Sequence, residues 1–201
     1  MSGERRRAVI RFYDGLLAEK SGSEILGFSS AASQRVRFEA LIGVGDLAGA
    51  SVLDVGCGAG DLLAFLRERA GDDVAYHGVD IHPGLIALAR ERHPEGSFAV
   101  RDVLEGEARP EVDVVISSGV FGLAPNGDPA FVRAMLGRML ALARRAVAVN
   151  FLSARTPNAK DPRSWYAEPT EILDLALSLT PNAVLRHDYK PNDFTVYLRH
   201  G

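Results

Sequence analysis

The chain predicts an α/β protein in which a mostly parallel sheet is covered by helices on both faces. Three features carry that expectation. The stretch Val52–Gly60, VLDVGCGAG, reads as a buried strand running into a turn with glycine at 56, 58 and 60. Beyond it, apolar strand-like runs alternate with segments of helical period. The last two strand-like runs, Val184–Tyr189 and Phe194–Arg199, have no helix between them, so one of them should run antiparallel.

The elements follow in order. Residues 4–20 set Val9, Ile10, Phe12, Tyr13, Leu16 and Leu17 along an apolar side and predict a helix. Ser21–Ser33 is rich in serine and glycine and predicts a loop; Ala32–Ile42 predicts a second helix with Val36, Leu41 and Ile42 inward. Ser51–Val55 is the first strand, and the helix opening at Asp61 carries Leu62, Phe65 and Leu66 on its apolar side. Val74–Asp80 is the second strand, and Pro83 suits the first turn of a helix reaching Arg92. Short Ser97–Arg101 and strongly apolar Val112–Ser117 supply two more strands. Asp128 and Pro129 form a cap and first-turn pair before Phe131, Met135, Leu136, Met139 and Leu140, which share one helix face. Ala146–Leu152 is a further buried strand, and Thr170–Thr180 is a helix before the closing pair.

Length and composition suit one globular domain, residues 1–201, with 1–45 as a helical lid and 46–201 as the core. The 201 residues suffice for a core of their own, and 47% apolar with 24% charged content is ordinary for a soluble protein. A net charge of −3 offers no general attraction for nucleic acid. Arg5, Arg6, Arg7 and Arg11 crowd the N-terminus, where a solvated helix face is favoured over a phosphate-binding arm. The single cysteine, Cys57, excludes an internal disulfide and fits a reducing, cytoplasmic setting. No apolar run approaches the ~20 residues of a membrane span. The five histidines are scattered without metal-ligand spacing, so no metal is expected.

Open sheets of this class bind ligands beyond the carboxyl ends of their strands. Here those ends offer Asp54 with the glycine turn, then Asp80, Asp102, and Ser117, Ser118 and Gly119. Asp80 lies twenty residues after Gly60, where a carboxylate can take both hydroxyls of a ribose. The glycine spacing is G-x-G-x-G and not the G-x-G-x-x-G of dinucleotide sites. Asp54 and Asp61 beside the turn would repel a pyrophosphate but suit a ligand carrying an ammonium and a sulfonium. Charge therefore favours S-adenosylmethionine over a nicotinamide dinucleotide.

The same residues resemble the class I S-adenosylmethionine-dependent methyltransferases. VLDVGCGAG is similar to their first motif, GVDIHP (Gly78–Pro83) to the second, RDV (Arg101–Val103) to the third and VDVVISSGVF (Val112–Phe121) to the fourth. The stretches QRVRF, SSGVFGL, NFLS, WYAEP and HDYKPNDFTVYL resemble a group of small bacterial members of unassigned substrate. The resemblance implies a Rossmann-like, doubly wound, seven-stranded sheet with one antiparallel strand near the C-terminus. It implies that Gly56, Gly58 and Gly60 pass along the methionine moiety beside Asp54, with Cys57 chosen for small size. Asp80, with Ile81 next to it, would hold the ribose, Asp102 would accept from the adenine amino group, and the Val103 backbone would lie near the ring. The main chain at Ser117 and Ser118 would approach the sulfonium. Arg37 could pair with the cofactor carboxylate, or be a surface arginine on a packing helix.

Methyl transfer needs an in-line acceptor in a dry pocket, and a base only where a proton must leave. His82, Tyr13, His187, Asp188 and Tyr189 are candidates at the mouth, and His187 and Tyr189 are the pair taken forward as catalytic. The Pro-Pro-aromatic motif of exocyclic-amine and glutamine-amide methyltransferases is replaced by SSGVFG, which disfavours those acceptors. No basic groove or RNA-binding module is evident. The expected partner is a small-molecule acceptor, methylated on O, N or C, with neither nucleic acid nor membrane and a monomer or homodimer. Residues 1–45, 119–127 and 153–168 would close the pocket, with Trp165 and Tyr166 as a wall or as packing. The alternatives are a non-catalytic S-adenosylmethionine-binding module acting through a partner protein, and a nicotinamide-dependent oxidoreductase.

Overall fold

The computed structural model describes residues 1–19, 30–107, 109–158 and 160–201. Helices α1 (Gly3–Glu19) and α2 (Ala31–Ile42) precede β1 (Ser51–Val55), α3 (Asp61–Ala70), β2 (Ala75–Asp80), α4 (Pro83–Arg92) and β3 (Ser97–Val100). Then come β4 (Val112–Ser117), a 3-10 turn at Ala124–Asn126, α5 (Pro129–Leu142), β5 (Ala143–Leu152), α6 (Pro169–Leu177), β6 (Asn182–Arg186) and β7 (Asp193–Arg199). The strands form one seven-stranded sheet in the order β3-β2-β1-β4-β5-β7-β6. β7 pairs antiparallel with both β5 and β6, and the other pairings are parallel. This is the doubly wound, mostly parallel sheet with one reversed strand that the alternation and closing pair predicted. Strand order reverses between β1 and β4, so the tips of these strands flank the crevice where such sheets bind ligands.

Each face of the sheet buries its own apolar cluster. Val79, Val115, Met135, Leu136, Met139, Phe151 and Phe194 belong to one, and Leu41, Val52, Leu66, Tyr76, Ile86, Phe98 and Ile116 to the other. The run of Phe131, Met135, Leu136, Met139 and Leu140 is buried along α5 as its period requires. Asp128 caps that helix, its Oδ1 accepting from the Ala130 N–H at 3.0 Å. Ser30 caps α2 by accepting from the Ser33 N–H at 3.1 Å.

Several boundaries and faces differ from expectation. On α2, Val36 faces out, whereas Gln34, Arg37, Phe38 and Leu41 are buried. The helix is pulled round by polar contacts as well as apolar ones: Arg37 Nε donates to Asp193 Oδ1 at 2.9 Å, and Gln34 Nε2 donates to Asp61 Oδ2 at 2.9 Å. β5 starts at Ala143 directly from α5, with Ala143 already extended (φ −86°, ψ 143°). β6 ends at Arg186, leaving His187, Asp188 and Tyr189 in the turn before β7. The apolar alternation fades there, and Pro191 and Asn192 supply turn chemistry. Most of the loop expected over 21–33 lies outside the described residues. Among the described residues, no helix is long and apolar enough to cross a membrane.

α1 lies over the carboxyl ends of the strands and is held there mainly by its polar rim. Arg5 Nε donates to Pro125 O at 2.8 Å, its Nη2 reaches Asp128 Oδ2 at 2.9 Å, and its guanidinium sits 4.3 Å from the Phe131 ring centre. Asp14 Oδ1 is 3.2 Å from His82 Nε2 at the start of α4. Only Val9 of this helix is fully buried.

Candidate active site

The turn after β1 has all three glycines in the left-handed region, at φ 75°, 55° and 84° for Gly56, Gly58 and Gly60. Gly56 and Cys57 both donate to Val79 O, at 2.8 and 3.1 Å, so the turn is pinned to the neighbouring strand. A Cβ on Gly56 would stand 2.3 Å from Val120 Cγ2, so the absent side chain also admits the loop after β4. Gly60 has another task. A Cβ there would meet the Phe98 ring at 2.9 Å, and Gly60 lines none of the recesses described below.

Asp80, at the tip of β2, accepts from the Gly58 N–H at 3.1 Å and from the His82 N–H at 2.9 Å. Burial raises its carboxyl above the usual range, and these backbone bonds oppose the rise. Asp54 is 2% exposed and accepts from the Tyr76 hydroxyl at 2.8 Å. Burial pushes its carboxyl up to about 7, against the Tyr76 bond and with help from the charges of Asp80 and Asp61. Gln34, Asp54, Gly56, Cys57, Asp61 and Ser118 line a small acidic recess of about 240 Å³. Gln34 escaped the sequence reading, because only packing turns α2 so that its amide reaches Asp61. Cys57 is buried and its thiol is pushed far up, first by burial and then by the Asp54 and Asp80 charges, so it remains protonated.

A first cleft of about 610 Å³, its open mouth included, runs from this turn along the tips of β2 and β4. Asp80, Ile81, Asp102, Val103, Ser118 and Asn126 line it, with Tyr13 and Met1 above. Asp102 Oδ1 accepts from the Leu104 N–H at 3.0 Å. Its Oδ2 is 3.0 Å from the Met1 ammonium, an ion pair without hydrogen-bond geometry, and is otherwise unpartnered among the described residues. Asn126 Nδ2 donates to Val120 O at 2.7 Å, which leaves its buried Oδ1 without a partner among the described residues. Two acceptor atoms are thus buried around one cleft. A ligand carrying an amino group fits them.

A second cleft, about 790 Å³ with its mouth, opens beyond Gly119 and Leu123. Phe12, Tyr13 and Leu16 of α1, Phe151 and Leu152 of β5, Asn150, Arg37, Arg163, Asp161 and Asp193 line it. Here the expectations divide. Arg37 faces this second cleft and not the acidic recess, with its Nε on Asp193; Lys190 Nζ is 3.0 Å from the other Asp193 oxygen. Ser118 lines the first cleft, but Ser117 does not, because its hydroxyl donates to Val55 O inside the sheet at 2.9 Å and it is fully buried. His187 packs edge-on against Phe194, and Tyr189 shares a 2.9 Å hydrogen bond with Thr195; neither lines a cleft. Trp165 packs against Phe151 and the Gly127 backbone, and the Tyr166 hydroxyl accepts from the Asp161 N–H at 3.0 Å. Those two rings support the cleft from behind.

A glycine turn after the central strand, acidic residues at successive strand tips and a reversed seventh strand are together similar to the architecture of the class I S-adenosylmethionine-dependent methyltransferases. Residues 52–141 match the family model described as a methyltransferase domain. Trans-aconitate 2-methyltransferase of Rhodopseudomonas palustris (strain BisB5) is 33% identical over 110 residues, covering 55% of this chain and 42% of the relative. A 2-phytyl-1,4-naphtoquinone methyltransferase of Thermosynechococcus vestitus is 31% identical over 124 residues, covering 60% and 54%. The chain thus spans about half the length of these curated relatives. Magnesium protoporphyrin IX methyltransferase (ChlM) from Synechocystis PCC 6803, solved with bound SAH, superposes with a TM-score of 0.69 at 15% identity, covering 98% of this chain and all of that one. At that identity the likeness is one of fold.

Proposed function

We propose that the protein transfers a methyl group from S-adenosylmethionine to a small-molecule acceptor. The observation that carries the reading is the pairing of an acidic recess with a cleft holding two buried acceptor atoms that lack a hydrogen-bond donor among the described residues, on either side of the glycine turn. In this reading Asp80 takes the ribose hydroxyls, Asp102 and Asn126 accept from the adenine amino group, and Ile81 and Val103 enclose the ring. Asp54, Asp61 and Gln34 surround the amino end of the methionine moiety, with the turn backbone alongside. Residues 1–45 act as the cover and 46–201 as the cofactor-binding core. When bound, the cofactor supplies an electrophilic methyl carbon on a positively charged sulfur.

The second cleft then holds the acceptor, and its wall from α1 excludes water from the transfer. No group lining it is suited to remove a proton. The Tyr13 phenol is held well above its usual range by burial and then by Asp80. Asp161 is drawn down to about 2 by its hydrogen bonds from Arg163. Asp193 is ion-paired to Arg37 and Lys190. Proton-transfer roles for His187 and Tyr189 gain no support from their positions outside the cleft. The relatives named for aconitate and for a naphtoquinone favour a small acceptor.

Calorimetric titration with S-adenosylhomocysteine and, separately, with NADH tests the reading. Binding of the first alone is expected; binding of NADH alone would overturn it. Methyl transfer to any acceptor then separates an enzyme from a module that only binds the cofactor.

A further inference from the structure

We infer that the Ser118 hydroxyl oxygen and the Tyr13 ring read the positive charge on the cofactor's sulfur, favouring the methyl donor over its spent, neutral product. This rests on the methyl-transfer reading above and adds to it two residues that tell donor from product.

Ser118 follows directly on β4. Its neighbour Ser117 spends its hydroxyl inside the sheet, donating to Val55 O at 2.9 Å. The Ser118 Oγ is buried and has no hydrogen-bond partner among the described residues. A buried hydroxyl in that state is costly, and a ligand is its natural complement. Ser118 lines the first cleft, the acidic recess, and a small cavity of about 280 Å³ with its mouth included. It does not line the second cleft, so its oxygen serves the cofactor and not the acceptor. In the reading above, the amino end of the methionine moiety lies in the acidic recess and the adenosine in the first cleft. Ser118 stands where those two spaces meet, and sulfur is the atom that joins the two halves of the cofactor.

The small cavity supplies the opposing wall. Gly56, Gly58 and Gly119 line it without side chains, which leaves Tyr13, Asp80, Leu85 and Ser118. Tyr13 comes from α1 and is braced by near-perpendicular contacts with the Phe12 and His82 rings, at 5.3 and 6.4 Å between centres. Tyr13 and Gly119 line both clefts as well as the small cavity, so a methyl group moving toward the acceptor passes between them. Burial, and then Asp80, keeps the phenol protonated. What Tyr13 offers a cation is therefore an aromatic face and not a phenolate.

Both groups are neutral. A hydroxyl lone pair and an aromatic face attract a sulfonium and its polarised C–H bonds. Neither is the competing nucleophile that a carboxylate oxygen would be at that position. Once the methyl group has left, the sulfur is neutral, the attraction is lost and the Ser118 Oγ is again without a partner. The pair thus raises the affinity for the donor relative to that for the product. The attraction fades as charge leaves the sulfur, so it favours binding and exchange over the chemical step.

The test uses the full chain and calorimetric titration without any acceptor. Dissociation constants for S-adenosylmethionine and S-adenosylhomocysteine are compared in the wild type, Ser118→Ala, Tyr13→Leu and Tyr13→Phe. The ratio of the S-adenosylhomocysteine constant to the S-adenosylmethionine constant is expected to fall about threefold or more in Ser118→Ala. In Tyr13→Leu it is expected to fall about fivefold or more. Tyr13→Phe keeps the ring and is expected to retain the wild-type ratio. Lost packing weakens both ligands alike and leaves the ratio unmoved, which separates charge reading from a structural role. An unmoved ratio in Ser118→Ala or in Tyr13→Leu overturns the inference, as does a Tyr13→Phe ratio as low as that of Tyr13→Leu. Should one variant fail to fold, the ratio in the other decides. Failure of the wild type to bind either ligand would instead sink the methyl-transfer reading itself.

Discussion

Asp54 shows how burial of a single carboxylate couples the stability of the fold to pH. Its folded value of about 7 exceeds the roughly 3.9 of an exposed aspartate, so the folded state holds a proton that the unfolded chain gives up. The stabilisation is fully present below about pH 4, declines between 4 and 7, and is lost above the folded value; it totals roughly 4 kcal/mol. Asp54→Asn is expected to flatten that slope in urea titrations run from pH 5 to 8. A ligand ammonium in the recess favours the charged form. Binding of S-adenosylhomocysteine below pH 7 should therefore release a proton and weaken by up to about tenfold per pH unit. Calorimetry in buffers of different ionisation enthalpy measures the released proton directly, and Tyr76, Asp61 and Asp80 are the neighbours that set its size. Asp80 makes a simpler case. Asp80→Ala is expected to weaken S-adenosylhomocysteine binding by about 1.5–3 kcal/mol, the range for hydrogen bonds to a charged group. An unchanged affinity would put the ribose elsewhere. Asp54 and Asp80 were both legible in the sequence, since a carboxylate at the tip of an apolar strand has no packing reason to be there. Gln34, Asn126 and Asn150 were not, because an amide carries no local signal of which cleft it will face.

Among the elements, the turn after β1 and the loop after β4 depend on each other. The sequence marked Gly56 and Gly60 alike as ligand-facing glycines. In the folded chain Gly56 makes room for Val120, and Gly60 makes room for Phe98 under α3. Gly127 behaves similarly: its φ of −83° is open to any residue, but a Cβ would lie 2.3 Å from the Trp165 ring. Gly127→Ala is expected to cost about 1–3 kcal/mol through overpacking, read as a lowered urea midpoint, because the indole is held by Phe151 behind it. α1 sits at the other extreme. With one fully buried residue and a rim of ion pairs, it should exchange its amide protons faster than β1, β4 and β5. S-adenosylhomocysteine should slow α1 selectively, since Tyr13 lines the first cleft. Equal protection of α1 and the central strands in the free protein would remove it as a cover. The closing turn was misread for a local reason: His187–Tyr189 continue an extended-looking run that β7 pairing ends at Arg186.

At the scale of the molecule, the two ends of the chain are joined through the Arg37–Asp193 pair, 156 positions apart in sequence and nearly buried on both sides. Arg37→Met is expected to destabilise the fold by about 3 kcal/mol, the lower end for breaking a buried pair, because Lys190 still faces the stranded carboxylate. A loss under about 1 kcal/mol in urea unfolding would show that Lys190 suffices alone. Arg37 also lines the second cleft, so the same contact that docks α2 on β7 shapes the wall of that cleft.

The order of strands, the turn and the acidic tips follow from patterns within a few residues: apolar alternation, glycine spacing and cap chemistry. Those local rules determined the doubly wound class, the reversed strand near the C-terminus and the acidic character of the strand tips. Which side chains meet across the clefts depends on how α1, α2 and the loop after β4 pack onto the strand tips, through contacts spanning more than a hundred residues. Only the tertiary structure could turn Arg37 toward the second cleft, leave the Asn126 Oδ1 without a partner among the described residues, and place His187 outside both clefts.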